Sequence, residues 1–185
     1  MKRDDAKAEL IGHMKVLRAF AMSLTRNSAA ADDLVQDTVL KAWSNMDRFE
    51  EGSNMRAWLF TILRNTFYSN RRKASRETED VDGVLTQKLA EKPAHDGRLQ
   101  LADFRVAFGT LPPEQREVLM LVGAMQYSYE EAADMCGVKV GTIKSRLNRG
   151  REALAEAMRL SDDDPFEMTD AATHAVVSAN GGQVG

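Results

Sequence analysis

Thirteen residues from Lys139 to Arg151 read KVGTIKSRLNRGR and carry five basic side chains (139, 144, 146, 149, 151) with no acidic one. Lys139, Thr142, Lys144, Ser145, Arg146 and Arg149 there combine cations for phosphate oxygens with short donors able to reach base edges. An ordinary solvated helix face would mix charge signs along its length. A second basic run, from Arg56 to Arg76, holds six cations and no acid, interleaved with Asn65, Tyr68 and Asn70. That composition suits a surface that tracks a phosphate backbone and stacks on bases. A third group is acidic: Asp32, Asp33 and Asp37, with Gln36 between them. Negative charge in a first helical turn suits the helix dipole, and an acidic surface for a basic partner is the sharper reading. Chemistry of other kinds is poorly provided for. His13, His95 and His174 fall in unrelated segments, Cys136 is the one cysteine, and no Gly-rich phosphate loop or paired carboxylate in an apolar setting occurs. These absences argue against an enzyme, a metal site or a cofactor.

The elements that would carry these residues are helical throughout. Residues 127–158 hold a short amphipathic helix, then Cys136-Gly137-Val138, then a longer helix with Val140, Ile143, Leu147, Leu154 and Met158 on one face. Gly137 can turn left-handed and end the first helix sharply. Two helices joined in this way form a helix-turn-helix, whose second helix reads the major groove. Lys139 is a poor N-cap and would serve better on a phosphate.

Upstream, three helices are expected at about 5–25, 30–46 and 55–73. Their buried stripes are Leu10, Met14, Leu17, Ala21 and Leu24; Leu34, Val35, Thr38, Val39, Ala42, Trp43 and Met46; and Trp58, Leu59, Ile62, Leu63, Thr66 and Phe67. Ser28 can cap the second, and residues 49–54 form a loop. Residues 74–98 are acidic and poor in apolar side chains, which marks a flexible linker with at most a helical turn at 84–89. A fourth helix then places Phe104, Ala107 and Phe108, and ends at Leu111-Pro112-Pro113 because the residue before proline avoids helical geometry. A fifth runs from Glu114 to about Ala124. Residues 161–185 hold five acids and no Lys or Arg, and read as a flexible tail.

The chain has 185 residues, 43% hydrophobic and 29% charged, a length for one or two domains. Its net charge of −3 hides the segregation of cations and acids. No run approaches the roughly 18 apolar residues of a membrane span. The charged N-terminus lacks an apolar signal segment, so a cytoplasmic location is expected.

Four segments in this order, DDLVQDTVLKAWSNMDRF, NMRAWLFTILRNTFYSNRRK, LPPEQREVLML and YEEAADMCGVKVGTIKSRLNRGREAL, resemble the extracytoplasmic-function sigma factors, especially the alphaproteobacterial general-stress-response subgroup. The resemblance implies an all-α chain of two small domains. Residues 5–73 would form a three-helix region 2 domain, 74–98 the linker, 99–160 a four-helix region 4 domain, and 161–185 the tail. It implies an alternative sigma factor that joins core RNA polymerase through the β′ clamp helices and β flap, and recognises promoter DNA. Asp33, Gln36 and Asp37 would dock on polymerase. Ser53, Asn54, Arg56, Arg64, Asn65, Tyr68, Arg71 and Arg72 would open and hold the minus-ten element. Lys139, Thr142, Lys144, Ser145, Arg146 and Arg149 would read the minus-thirty-five element. A small anti-sigma protein would hold the factor inactive. A stand-alone helix-turn-helix regulator, or a sigma-like adaptor, is the competing reading.

Overall fold

The structure is a computed structural model that describes residues 3–79 and 97–158. Among the described residues every regular element is a helix. The first expected helix is two: α1 (Arg3–Gly12) and α2 (Met14–Thr25). They part where Gly12 meets His13, whose N–H turns back to the Leu10 carbonyl at 3.1 Å. Leu17, Phe20, Ala21 and Leu24 of α2 are buried, and the helix closes on Arg26 in a left-handed conformation with φ 59°. The cap of α3 (Ser28–Ser44) is Asn27, not Ser28: the Ala30 N–H donates to Asn27 Oδ1 at 2.9 Å. Ser28 is used elsewhere, accepting from the Arg18 guanidinium at 2.9 Å. Ala31, Leu34, Val35, Thr38 and Ala42 form the inner face of α3. Trp43, expected in that face, is 41% exposed. Ala42 supplies the inward position, and Trp43 lies one residue, or about 100°, further round the helix.

After a 3-10 turn (Met46–Arg48), α4 runs from Met55 to Glu79, past the expected end at Lys73. Asn54 caps it, its Oδ1 accepting from the Ala57 N–H at 3.0 Å. Leu59, Phe60, Leu63 and Thr66 face the core, where Phe20 and Phe60 meet edge to face at 4.9 Å. The expected linker residues 80–96, with the helical turn proposed there, and the tail lie outside the described residues.

The second group begins with α5 (Gly97–Thr110) and α6 (Pro113–Val118). The fifth expected helix does not stay α-helical: from Leu119 to Ala124 it widens into a π-helix, with the Met125 N–H bonded to the Met120 carbonyl five residues back. Such single-turn widenings within a helix are rare. Next come α7 (Tyr129–Cys136) and α8 (Val140–Met158). Ser128 and Glu131 form a complete capping box on α7, and Gly137 ends it with φ 63°. Gly150 lets α8 approach closely: a Cβ there would stand 2.9 Å from Leu119 Cδ1.

The two groups share one contiguous buried core. The α2 helix packs on α6 and α4 on α7. Phe60 and Tyr127 meet edge to face at 6.1 Å across that seam. Arg116 of α6 ties it together, donating from Nε to the Ser23 carbonyl at 2.7 Å, from Nη2 to the Leu24 carbonyl at 2.8 Å, and from Nη1 to Leu111. Ser23 and Leu24 end α2, where carbonyls lack intrahelical donors and the helix dipole favours a cation.

Candidate nucleic-acid and polymerase surfaces

Spacing along α4 sorts its polar residues onto two flanks of the buried stripe. Trp58, Ile62, Asn65, Ser69 and Arg72, three or four residues apart, line one cleft together with Lys41 and Asn45 of α3, Arg48 and Thr66. Lys41 Nζ donates to Thr66 Oγ1 at 3.1 Å and fixes the cleft floor. Trp58 is half-buried and leans on Phe49 with ring centroids 5.2 Å apart. It is therefore part wall, part core, although its spacing in the sequence marks it as core. The cleft combines an indole, side-chain amides at Asn45 and Asn65, and three cations: groups that hold a flat heterocycle and a phosphate. Asn45, Arg48 and Ser69 were not among the expected site residues. Only the fold brings Asn45 and Arg48 to Asn65, whereas Ser69 stands four residues from it on the same helix, a spacing that could have marked it.

The other flank carries Arg56, Arg64, Tyr68 and Arg71, and it faces the second group. Arg56 lies over the rings of Phe60 and Tyr127 at 5.6 and 5.4 Å. Arg64 stacks on Tyr68 at 4.8 Å and brings Nε within 2.6 Å of Glu117 Oε1. The Tyr68 hydroxyl donates to Glu117 Oε2 at 3.2 Å. Arg71 stands 3.9 Å from Glu114. Burial pushes the Glu117 carboxyl up, against the opposing pull of Arg64, Tyr68 and Arg146. Burial and the Glu117 charge push the Tyr68 phenol up as well. Burial, with Arg26 and Arg71 nearby, lowers Arg116 to about 10.

Ser53 and Asn54 sit at the mouth of α4. Ser53 donates to the Glu50 carbonyl at 2.7 Å, and Asn54 is the cap already described. Gly52 between Glu51 and Ser53 needs φ 87°, which a side chain would resist.

On α8 the expected readers divide. Lys139, Lys144 and Arg149 are exposed, with Lys144 Nζ over the Tyr129 ring at 5.5 Å. Thr142 is half-buried, and Ser145 donates back to its carbonyl at 3.0 Å. Arg146 turns inward: its Nη1 is buried, makes no hydrogen bond within the protein, and lies in the field of Glu117. Cys136 is buried beside this turn, and burial raises its thiol to about 12, so it packs rather than reacts.

On the opposite side, Asp33, Gln36 and Asp37 are exposed on α3. Asp32 is instead tied to Arg18 at 2.6 Å. Gln36 joins Met14, Lys15, Val35, Val39 and Leu40 along an apolar groove between α2 and α3. Leu40 is 60% exposed, Ile11 58% and Trp43 41%, so apolar surface flanks the acids. Leu40 falls outside the regular stripe of α3, which is the one sequence signal that could have marked it. Among the described residues no group of three His, Cys, Asp or Glu side chains is placed to hold a metal ion, and no helix is long and apolar enough to cross a membrane.

Residues 11–77 match the family Sigma-70 region 2, and residues 101–154 match Sigma-70, region 4. The chain is 47% identical over 178 residues to the ECF RNA polymerase sigma factor EcfG of Rhodopseudomonas palustris, covering 96% of this chain and 98% of that one. It is 34% identical over 141 residues to the ECF RNA polymerase sigma factor SigC of Mycobacterium tuberculosis, covering 76% and 74%. Among solved structures it is similar to the sigma factor RpoE in complex with the anti-sigma factor NepR from Bartonella quintana. That likeness has 51% identity and a TM-score of 0.75, and covers 85% of this chain and 98% of that chain.

Proposed function

The chain belongs to the extracytoplasmic-function sigma factors, and from that premise we propose which of its surfaces meets DNA, polymerase and inhibitor. It is an alternative sigma factor of the general-stress-response type, a transcription initiation factor that joins core RNA polymerase and directs it to promoters. The working domains take in α1 to α4, through Glu79, and α5 to α8, from Gly97, with the linker between them. The cleft of α4 takes the minus-ten element once its strands part. Asn65 and Arg72 serve there with Trp58, Asn45 and Arg48, while Ser53 and Asn54 border the entrance. Arg56, Arg64, Tyr68 and Arg71 extend the same strand path along the neighbouring flank. Opening DNA requires a surface that prefers the single strand, and stacked bases with backbone cations supply that preference. The observation that carries the reading is the convergence of an indole, two amides and three cations in one cleft.

Lys139, Thr142, Lys144, Ser145, Arg146 and Arg149 read the minus-thirty-five duplex, with Arg146 swinging out from its inward position. Asp33, Gln36 and Asp37, with exposed Leu40, dock on polymerase. A small anti-sigma protein of the NepR kind binds the factor, as NepR is in complex with RpoE in the similar structure. All of this work takes place where polymerase is, in the cytoplasm. Run-off transcription with purified core polymerase on a stress promoter tests the reading: the wild type should initiate, and Asn65→Ala with Arg72→Ala should cut open-complex formation at least tenfold while duplex binding persists. Unchanged strand opening would move the minus-ten site elsewhere.

A further inference from the structure

The open side of α8 carries two lanes of different charge. At about 100° per residue, Arg149 shares its lane with Glu152 and Glu156, and all three are exposed. Lys144 and Arg151, two helical turns apart and both exposed, share the other lane. That lane borders α7, where Lys144 Nζ stands over the Tyr129 ring at 5.5 Å. No acid of α8 falls in it, and among the described residues no ion pair holds Lys144 or Arg151. Past Met158, where α8 ends, come Asp162, Asp163, Asp164, Glu167 and Asp170, with no Lys or Arg from Ser161 onward. The order of these acids matches the lane. An extended chain advances about 3.3 Å per residue and an α-helix about 1.5 Å, so a segment doubling back from Met158 passes about two helical residues for each of its own. Arg151 lies about 10 Å back from that end, within reach of Asp162 to Asp164. Lys144 lies about 21 Å back, within reach of Glu167 and Asp170. Along the lane of Arg149 the same acids would run into Glu156 and Glu152, like charge against like.

We infer that residues 161–170 fold back along the Lys144–Arg151 lane of α8 and occupy those two cations, as a built-in competitor for the phosphates of duplex DNA. This rests on the duplex-reading role of α8 proposed above. The pairs so formed are exposed, individually weak and screened by salt. Duplex DNA displaces them because it offers a dense row of phosphates and sheds its counterions on binding. The segment therefore lowers affinity for any duplex by the same factor and leaves the reading of bases to Thr142, Ser145 and Arg149.

Two measurements on the full chain test it. Cys136 is buried, so a nitroxide attaches selectively to Met168→Cys. In the nitrogen-15-labelled protein that label should broaden the amide signals of residues 141–145, at the far end of α8. Neutralising the segment (Asp162→Asn, Asp163→Asn, Asp164→Asn, Glu167→Gln and Asp170→Asn together) should make them sharp again. Fluorescence anisotropy then follows binding to a labelled duplex of about twenty base pairs, two helical turns. The neutralised segment should tighten binding about fivefold, the effect of two exposed ion pairs. On a background of Lys144→Ala with Arg151→Ala it should gain nothing, since the contacts it releases are already gone. An equal gain in both backgrounds would mean that the acids repel DNA without docking on α8. Lys144→Ala alone should weaken duplex binding. If it does not, the duplex-reading role of that lane is wrong and the docked segment falls with it. If it does, but the label leaves residues 141–145 sharp, α8 reads DNA and the docked segment is refuted.

Discussion

Glu117 shows how much of a site rests on one side chain. In the sequence it is the second charge of an Arg-Glu pair early in a helix, where an exposed position is the natural expectation. Its partner Tyr68 is 49 residues away, and the carbonyls that Arg116 holds are 92 and 93 residues away, so no local pattern could expose either role. Burial raises the carboxyl's proton affinity, while Arg64 and Tyr68 from α4 and Arg146 from α8 oppose it, with the Cys136 thiol alongside. A raised value means the folded protein binds the proton more tightly than the unfolded chain does. Its stabilising effect is therefore present at low pH and fades as pH rises through the raised value. Glu117→Gln carries a permanent stand-in for the protonated form. Melting temperatures compared between about pH 8 and pH 5 should show wild type gaining on Glu117→Gln as pH falls, because all other carboxylates cancel in the difference. A constant difference would mean that Glu117 stays ionised throughout. Gly150 offers a second test at this scale. Gly150→Ala would press a methyl against Leu119 Cδ1, 2.9 Å from where the Cβ must go. Urea unfolding should show a loss of about 1–3 kcal/mol, despite the higher helix propensity of alanine.

At the scale of elements, the sequence is most readable where a feature depends on neighbours along the chain. The Gly137 turn and the proline stop before α6 appear as their residue types require, while in the expected stripe of α4 Leu59, Leu63 and Thr66 are buried, Trp58 and Ile62 turn partly to the cleft, and Phe60, outside that stripe, is buried. The capping box on α7 is of the same kind: Ser128 Oγ accepts from the Glu131 N–H at 3.1 Å, and the Glu131 carboxylate accepts from the Ser128 N–H at 2.8 Å. The Ser128 N–H and the Ser128 hydroxyl, which donate to it at 2.8 and 2.9 Å, hold that carboxyl below its usual range. Ser128→Ala should destabilise the helix-turn-helix by about 1 kcal/mol, read by denaturation, and should weaken duplex binding only in proportion. What remained illegible is which flank of a helix meets what. Composition marks α4 as basic from Arg56 onward, but not that Asn65 and Arg72 turn to a cleft while Arg64 and Tyr68 turn to a seam. A rotation of about 100° per residue decides this, and it is set by the packing of α3 on one side and α7 on the other. The split of the first helix at Gly12 and the π-turn in the fifth are likewise not marked by the apolar spacing, which fits one unbroken helix in each case.

For the whole molecule, the distribution of charge sets an order of events. A chain of net charge −3 gains little from long-range attraction to DNA, so its local basic flanks are best used when another body brings DNA close to them. On the docking reading proposed above, that body is polymerase and the face that meets it is α3, where Asp33 and Asp37 are exposed beside Leu40 at 60% and Trp43 at 41%. Acids around an exposed apolar patch fit a partner surface that is basic at its rim and apolar at its centre, the usual division between steering and affinity in an interface. This face lies on the other side of α3 from the residues that pack on α4, so on the docking reading polymerase meets it without disturbing that packing. Asp37→Arg should therefore leave the unfolding free energy within about 0.5 kcal/mol of wild type, as surface substitutions do. It should lower co-purification with core polymerase at least tenfold, the effect of losing about 1.4 kcal/mol and adding repulsion. Leu40→Ala should reproduce the loss without any change of charge, because truncating a central apolar contact typically costs upward of about 1 kcal/mol. If Asp37→Arg fails to bind while Leu40→Ala binds normally, the acids alone carry docking; if both bind as wild type does, polymerase grips some face other than α3.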